Sequence, residues 1–374
     1  MRAWLQQLDI WKKAGLCLAA AVALGWAQAS SALVVLQYHH IADATPPSTS
    51  TSPALFEQHL DYLAKHNYRV VSLAELHKLL DAAANGKSLP QKTVVITFDD
   101  GYKSIYDTAW PLLKKHHWPF AVFVNSEPHD EKNPLFMSWE QLKELHKSGV
   151  TIANHTDSHS HLIRRRANES PTAFNERRLK EITFAQGRIK KEIGSAPKFF
   201  AYPFGEYDSE LLSLLKREGY LAFGQQSGPV AADGNRQLIP RFPMGGSYGA
   251  MEQFGTKVAS VPFVKLKTVV RDSKGRQLHE PELPADEGQP ILELSSPILG
   301  HIGPLQCFAS GQGAISVKGK GGRFSAQAEK PLPVGRSRYN CTAHAGGIVF
   351  TGFRNCLFAA RLVAIGTRSS SRGS

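Results

Sequence analysis

The sequence is poor in cysteine, and its few cysteines are not arranged for metal binding. Of 374 residues four are cysteine, and no two of them show the short spacing typical of a structural zinc site. The sequence also lacks a glycine-rich loop that could cradle phosphate groups, which argues against a nuclease or a phosphatase.

Acidic residues are scarce as well. The chain has 32 of them against 44 lysines and arginines, a formal net charge of +12. Such a charge favours anionic partners in general, whether acidic glycans, lipid surfaces or nucleic acid. The basic residues are spread out, however, and the densest run, 164–166, is three long without interleaved aromatic residues. We therefore expect no nucleic-acid partner, only a general attraction to anionic surfaces.

One apolar run, residues 14–27, stands out near the amino terminus. Two lysines precede it and Ala27-Gln28-Ala29 follows it, which is the layout of a cleaved signal peptide. We predict a signal peptide over residues 1–29 and a periplasmic or secreted protein. The alternative is an uncleaved membrane anchor, although the run is short for a membrane span.

Export would place the remaining cysteines in an oxidising compartment. Cys17 leaves with the signal peptide, so three cysteines remain. We predict a disulfide between Cys307 and Cys341, which both lie in a small distal region; three unpaired thiols are the alternative.

Strand-like and helix-like segments alternate from residue 33 to about 225. Among the helices we predict one over about 104–116, one that begins with a capping box of Ser138 and Gln141, and a long charged one over roughly 171–193. Repeated βα units of this kind imply a parallel sheet with helical crossovers, either open or closed as a barrel. After about residue 260 proline and glycine become frequent among strand-like segments, as in a small β-sandwich. We predict a catalytic domain over 30–260, a β-rich domain over 261–345, and a poorly ordered or atypical tail over 346–374, where acidic residues are absent.

The segment TVVITFDDGY, residues 93–102, joins a buried-strand pattern to two adjacent carboxylates, Asp99 and Asp100. In a parallel α/β fold this position is the carboxyl end of a strand, where active sites are found. The alternative is a simple turn with an Asx cap.

A second polar segment, IANHTDSHSHL, residues 152–162, also follows a strand. His155 and His159 are four residues apart, a spacing at which two imidazoles converge on one metal ion when the backbone turns helically. His161 should point elsewhere. One carboxylate of the aspartate pair would complete the metal site and the other would act as general base. The alternative is that these histidines are structural.

TFDDGY and HTDSHSHL together resemble the first two motifs of the polysaccharide deacetylases, the NodB-homology group also called carbohydrate esterase family 4. The resemblance covers roughly residues 33–245. It implies a distorted (β/α)7 barrel, with Asp99 as the base and with Asp100, His155 and His159 as metal ligands.

A third family motif, arginine-x-proline-aromatic, is incomplete. Tyr202, Pro203 and Phe204 correspond to its end, and the resemblance implies that the Phe204 N–H helps to hold the oxyanion. Ala201 stands where the family has the arginine that orients the base. Arg241 could replace it, although an exposed or structurally paired arginine is the alternative.

The late histidine motif that supplies the family's catalytic acid is also absent, since no histidine lies between His161 and His279. His39 and His40 instead follow the first strand. This resembles the exported poly-N-acetylglucosamine deacetylases, whose acid histidine comes early. We expect His39 to be the acid, with His40 as second choice and a structural role for both as the alternative.

Taken together, the resemblance implies an exported, metal-dependent N-deacetylase of a polysaccharide containing N-acetylglucosamine. We expect the metal to be Zn²⁺, with Co²⁺ or Ni²⁺ as alternatives. Two other functions stay open: an O-acetyl esterase acting on a glycan or xylan, and a catalytically impaired glycan-binding protein. The polysaccharide and the oligomeric state cannot be predicted from the sequence.

Overall fold

The structure is a computed structural model, and it describes most of the chain after the predicted signal peptide. The described residues are 32–263, 265–278, 282–284, 287–333, 335–345, 348–352 and 356–359. The predicted signal peptide, residues 1–29, lies outside them. No helix in the described part of the chain has both the length and the apolar character needed to cross a membrane.

The first part of the chain, up to residue 258, alternates strands and helices. The strands are β1 Leu33–Tyr38, β2 His40–Ile41, β3 Ser50–Thr51, β4 Arg69–Val70, β5 Thr93–Asp100, β6 Ala121–Val124, β7 Thr151–Asn154, β8 Phe199–Ala201, β9 Leu221–Phe223 and β10 Phe242–Pro243. The helices are α1 Pro53–Lys65, α2 Leu73–Ala84, α3 Trp110–Lys115, α4 Ser126–Asp130, α5 Trp139–Lys147, α6 Pro171–Ile193, α7 Ser209–Arg217 and α8 Met251–Val258.

All of these strands except β2 and β3, which pair with each other, form one parallel sheet that curls towards a barrel. The strand order is β10-β1-β5-β6-β7-β8-β9, with β4 paired to the beginning of β5. A single segment nearly closes the ring: Ile239 pairs with Phe223 in β9, and three residues later Phe242 pairs with Leu36 in β1. The closing segment therefore lies between the two edges of the sheet.

Both faces of the sheet are buried, which explains the nearly continuous apolar runs of its strands. In β1 the side chains alternate between two cores: Val34 and Leu36 belong to one cluster, and Leu33 and Val35 to another. This alternation is the two-residue period of a strand.

The helix boundaries follow local capping chemistry. Ser138 caps α5 in a reciprocal box with Gln141, as predicted. Ser170 caps α6 with Pro171 in its first turn, and Gly194 ends it in a left-handed conformation.

The helix predicted over 104–116 is not regular. A π-helical turn, Ile105–Ala109, precedes α3. Pro111 occupies the second position of α3 and has no N–H to donate, which explains why the regular hydrogen-bond ladder is interrupted here.

The second part of the chain consists of two antiparallel sheets. Its strands are β11 Lys267–Arg271, β12 Gln277–Leu278, β13 Glu282–Leu283, β14 Ile291–Ser295, β15 Gln306–Ala309, β16 Gly313–Ile315, β17 Val317–Lys320, β18 Arg323–Gln327, β19 Gly335–Ala345, β20 Ile348–Gly352 and β21 Cys356–Ala359. Within these sheets β13 and β21 form a parallel pair. A common core of apolar side chains packs between the sheets. The predicted disulfide between Cys307 and Cys341 is confirmed, and it joins directly opposite residues of β15 and β19.

The structure describes part of the stretch predicted as a poorly ordered or atypical tail, residues 346–374. Strands β20 and β21 fall inside this stretch, and both pair with β19. The sequence Ile-Val-Phe-Thr at 348–351 has strong strand propensity, and the long β19 offers it a partner. The rest of the stretch lies outside the described residues.

Two glycines test how backbone conformation contributes to stability. Gly187 lies on the exposed side of α6, Gly149 has φ +92°, and a Cβ added at either would meet no atom within 4 Å. Gly187→Ala should therefore raise the free energy of unfolding by about 1 kcal/mol, because alanine favours a helix interior. Gly149→Ala should lower it, because alanine is strained at positive φ. Thermal unfolding midpoints measure both variants, and shifts of the same sign would contradict this explanation.

Candidate metal-dependent active site

The side chains predicted to be functional lie at the carboxyl ends of the parallel strands. Asp99 and Asp100 end β5, and His155 directly follows β7. Phe204 lies just after β8, and Arg241 directly precedes β10. Parallel strands end at a common edge, so residues that are far apart in sequence meet there.

Asp100, His155 and His159 form a compact group. Their candidate ligand atoms all lie within 4.8 Å of one another, and this is a group that could hold a metal ion. Asp100 Oδ1 is 3.3 Å from His155 Nε2 and 3.4 Å from His159 Nε2. Two ligands about 2.1 Å from a tetrahedral ion are about 3.4 Å apart, so these separations suit a divalent ion.

Three further observations support the fit to a metal. Asp100 Oδ1 is buried and has no hydrogen-bond donor among the described residues. His155 Nδ1 donates to the Ala201 carbonyl at 2.8 Å, which leaves Nε2 to act as the ligand atom. Burial lowers the pKa of His159 to about 4, so its imidazole is neutral at physiological pH. Neutral imidazole is the form that binds metal.

Asp100 stays ionised despite its burial. Burial alone would raise the pKa of this carboxyl group, but the nearby imidazoles, His155 foremost, hold it below its ordinary value. A carboxylate and two imidazoles form a donor set typical of zinc and similar ions.

Asp99 has a different set of partners. The Arg241 guanidinium donates to both of its carboxylate oxygens, each at 2.7 Å, and Gln37 Nε2 donates to Oδ2 at 2.6 Å. Asp99 and Arg241 are fully buried. Burial would raise the pKa of Asp99, but the Arg241 charge outweighs it and keeps the pKa below its usual value.

Arg241 therefore makes the contact with Asp99 for which the incomplete third motif offered no arginine. Its Nε also donates to the Gly224 carbonyl at the end of β9, at 2.9 Å, which fixes the guanidinium plane. An exposed arginine, the alternative left open by the sequence, is inconsistent with this burial. Ala201, at the motif position, instead accepts the hydrogen bond that orients His155.

The two histidines after β1 differ in environment. His39 is partly exposed, with Nε2 4.0 Å from Asp99 Oδ2. His40 is buried, and its ring stacks on Tyr102 with centroids 3.6 Å apart. His39 is thus the histidine that lies beside Asp99 and keeps part of its side chain exposed to solvent.

The side chains of residues 202–204, which follow β8, differ in their access to a substrate. The Tyr202 side chain is fully buried and donates its hydroxyl to the Gln237 carbonyl, so a contact of this side chain with substrate is excluded. Pro203 is buried and begins a 3₁₀ turn. The Phe204 ring is 37% exposed, lies 4.5 Å from the His159 ring and stacks on His161 at 3.9 Å. His161 is not a member of the metal group, and its Nδ1 bonds to Glu206 at 2.8 Å.

Backbone strain is concentrated here, and the sequence did not reveal it. Asp100, Thr156, His159 and Phe204 all have positive φ, between 54° and 73°. Such conformations are unfavourable for residues other than glycine and are typical of functional sites. Gln37 was also missed, although a polar residue inside an otherwise apolar strand was a usable signal.

Comparison with known proteins agrees with this geometry. A family model described as polysaccharide deacetylase matches residues 86–223, which include Asp99, Asp100, His155 and His159. This part of the chain is therefore similar to the polysaccharide deacetylases. The match leaves out β1 and the closing segment, which supply His39, Gln37 and Arg241.

Relatives with assigned functions show the same likeness. The poly-β-1,6-N-acetyl-D-glucosamine N-deacetylase of Escherichia coli (strain K12) is 26% identical over 266 residues, which cover 61% of this chain and 38% of the relative. The enzyme of that name from Staphylococcus aureus (strain MRSA252) is 27% identical over 197 residues, 51% of this chain and 67% of the relative. The chain thus spans well under half of the length of the E. coli relative.

A solved structure extends the likeness to the fold. The structure of IcaB from Ammonifex degensii is 28% identical, with a TM-score of 0.51, and the match covers 61% of this chain and 95% of that chain. The predicted distorted (β/α)7 barrel with a β-rich carboxyl-terminal part is confirmed.

The two parallel hydrogen bonds from Arg241 to Asp99 provide a direct test of the site. Arg241→Lys keeps the charge but loses the two parallel hydrogen bonds to Asp99. We expect kcat for the reaction proposed below to fall at least about 10-fold, since one charge-assisted hydrogen bond contributes about 1.5–3 kcal/mol. Bound metal per chain should not change.

Arg236→Lys is the matched control, because Arg236 lies in the same segment and pairs with the exposed Asp81. Equal kcat values for the two variants would contradict the role of Arg241, and circular dichroism checks that both are folded.

Proposed function

We propose that the protein is a metal-dependent N-deacetylase of polysaccharides that contain N-acetylglucosamine. The observation that carries this proposal is the pairing of the Asp100–His155–His159 group with the adjacent Asp99, held by Arg241. The names of its relatives support poly-β-1,6-N-acetylglucosamine as the first substrate to test.

Asp99 is suited to accept the proton of an attacking water. A carboxylate offers about four acceptor positions, and Arg241 and Gln37 occupy three of them, which leaves one for a water. Because Arg241 keeps Asp99 ionised, the group is ready to act as base. Its rigid orientation reduces the entropy lost in reaching the reactive geometry.

His39 is the proposed acid that protonates the departing sugar amine. Its side chain is 16% exposed, and its Nε2 lies 4.0 Å from Asp99 Oδ2. It can therefore reach a substrate bound beside the two aspartates. The stacked and buried His40 is less accessible, which favours His39. We propose further that the Phe204 N–H donates to the oxygen of the acetyl group as negative charge develops on it.

Asp100, His155 and His159 would hold the divalent ion. When bound, such an ion supplies Lewis-acid polarisation of the acetyl carbonyl and lowers the pKa of water. Zn²⁺ is our first choice, because this donor set and a site with open positions are typical of catalytic zinc.

Two features outside the site complete the proposal. We propose that residues 1–29 direct export to the periplasm or cell exterior, in keeping with the disulfide. We also propose that the catalytic domain ends near residue 260, between α8 and β11.

The test is acetate release from a panel of acetylated glycans. The panel comprises β-1,6- and β-1,4-linked N-acetylglucosamine oligomers, peptidoglycan strands and O-acetylated xylan. We expect release from an N-acetyl substrate, loss of release with a chelator, and recovery on adding Zn²⁺.

Asp99→Asn should lower kcat about 10²- to 10⁴-fold with metal content unchanged. Asp233→Asn, at an exposed position, should match the wild type. Release from xylan alone would replace the proposal with an O-acetyl esterase, and full activity of Asp99→Asn would refute the role of Asp99.

A further inference from the structure

The turn that carries Phe204 has an unfavourable backbone conformation. Phe204 has φ 57° and the next residue, Gly205, has φ 64°. Two successive left-handed residues, one of them bulky, are held only where neighbouring contacts enforce them. The origin of those contacts therefore matters for the site.

The contacts come from the β-rich part of the chain. Arg336, in β19, donates to the Phe204 carbonyl at 2.5 Å and to Gln225 Oε1 at 2.6 Å. Two residues along the same strand, Arg338 donates to the Gln225 carbonyl at 3.0 Å. Through these two arginines β19 binds the segments that follow β8 and β9, at 203–205 and 224–226.

The guanidinium of Arg336 also packs directly against the turn. A Cβ added to Gly205 would lie 2.6 Å from Arg336 Nη1 and 2.7 Å from Gln225 Cβ. Only glycine leaves room for this approach. The close approach of Arg336, 131 positions further along the chain, therefore requires glycine at position 205.

The other side of the same turn contacts His159, one of the candidate metal ligands. The Phe204 ring lies 4.5 Å from the ring of His159, and His161, which stacks on Phe204, is fixed by Glu206 at 2.8 Å. A shift of the Phe204 carbonyl would move its N–H and its ring together, since both belong to one short turn.

We propose that Arg336 is a positioning residue for the deacetylase reaction, and that the β-rich part of the chain supports one side of the active site through the turn at 203–205. The claim about catalysis rests on the proposed function, whereas the claim that Arg336 fixes the turn does not. Arg336 does not touch the reacting atoms; it acts by fixing the conformation of residues 203–205.

The test compares Arg336→Met, Arg336→Lys and the control Arg323→Met in the full-length protein. Arg323 is an exposed arginine of β18, in the same β-rich part. For Arg336→Met we expect kcat to fall about 10-fold with KM changed less than about 2-fold, and Arg336→Lys should recover part of the loss. Metal content should equal that of the wild type.

Hydrogen–deuterium exchange gives a readout that does not depend on activity. In Arg336→Met the peptide covering 202–206 should exchange faster, whereas in Arg323→Met it should match the wild type. Unchanged kcat and unchanged exchange in Arg336→Met would overturn the proposal, as would equal losses in Arg323→Met.

Failure of this inference and failure of the proposed function give different results. A wild-type protein that releases no acetate from any substrate refutes the function, and the exchange data still test whether Arg336 holds the turn. An active wild type with an equally active Arg336→Met refutes the positioning role alone.

Discussion

The site depends on the separation of two adjacent negative charges. Asp99 and Asp100 end a buried strand, where two neighbouring carboxylates repel each other and lose hydration. The structure gives each a different partner: Arg241 and Gln37 bind Asp99, and the imidazoles of His155 and His159 lie against Asp100. Successive side chains of a strand point to opposite sides, which makes this division possible.

The barrel places these partners by bringing strand ends together. Arg241 is 142 residues from Asp99 and reaches it because the closing segment lies between β9 and β1. In the usual family motif the arginine comes from the segment after the histidines, at the position of Ala201 here. The charge is supplied from the closing segment instead, and Ala201 contributes its carbonyl to His155. The same electrostatic requirement is thus met from a different point in the sequence.

Local patterns in the sequence predicted much of the fold. The helix predicted over 171–193 is observed as Pro171–Ile193, because its serine cap, early proline and final glycine are all local signals. The alternation of strands and helices likewise indicated a parallel sheet. The π-helical turn before Trp110 was not predicted, since its cause is a single proline inside an otherwise helical pattern.

For the site, the two motifs indicated which aspartates and histidines would meet, and the structure brings them together. Contacts across long sequence separations were less accessible. The sequence left the place of Arg241 open. Neither the pairing of Gln37 with Asp99 nor the contact of Arg336 with Phe204 could be predicted, because each depends on the tertiary arrangement of strands.

The most direct test of the central claim is anomalous X-ray diffraction, at the zinc absorption edge, from crystals of the protein grown with Zn²⁺. The account predicts one strong peak within about 2.3 Å of a carboxylate oxygen of Asp100 and of Nε2 of both His155 and His159. The absence of a peak at this position, or a peak bound by other side chains, would contradict the account.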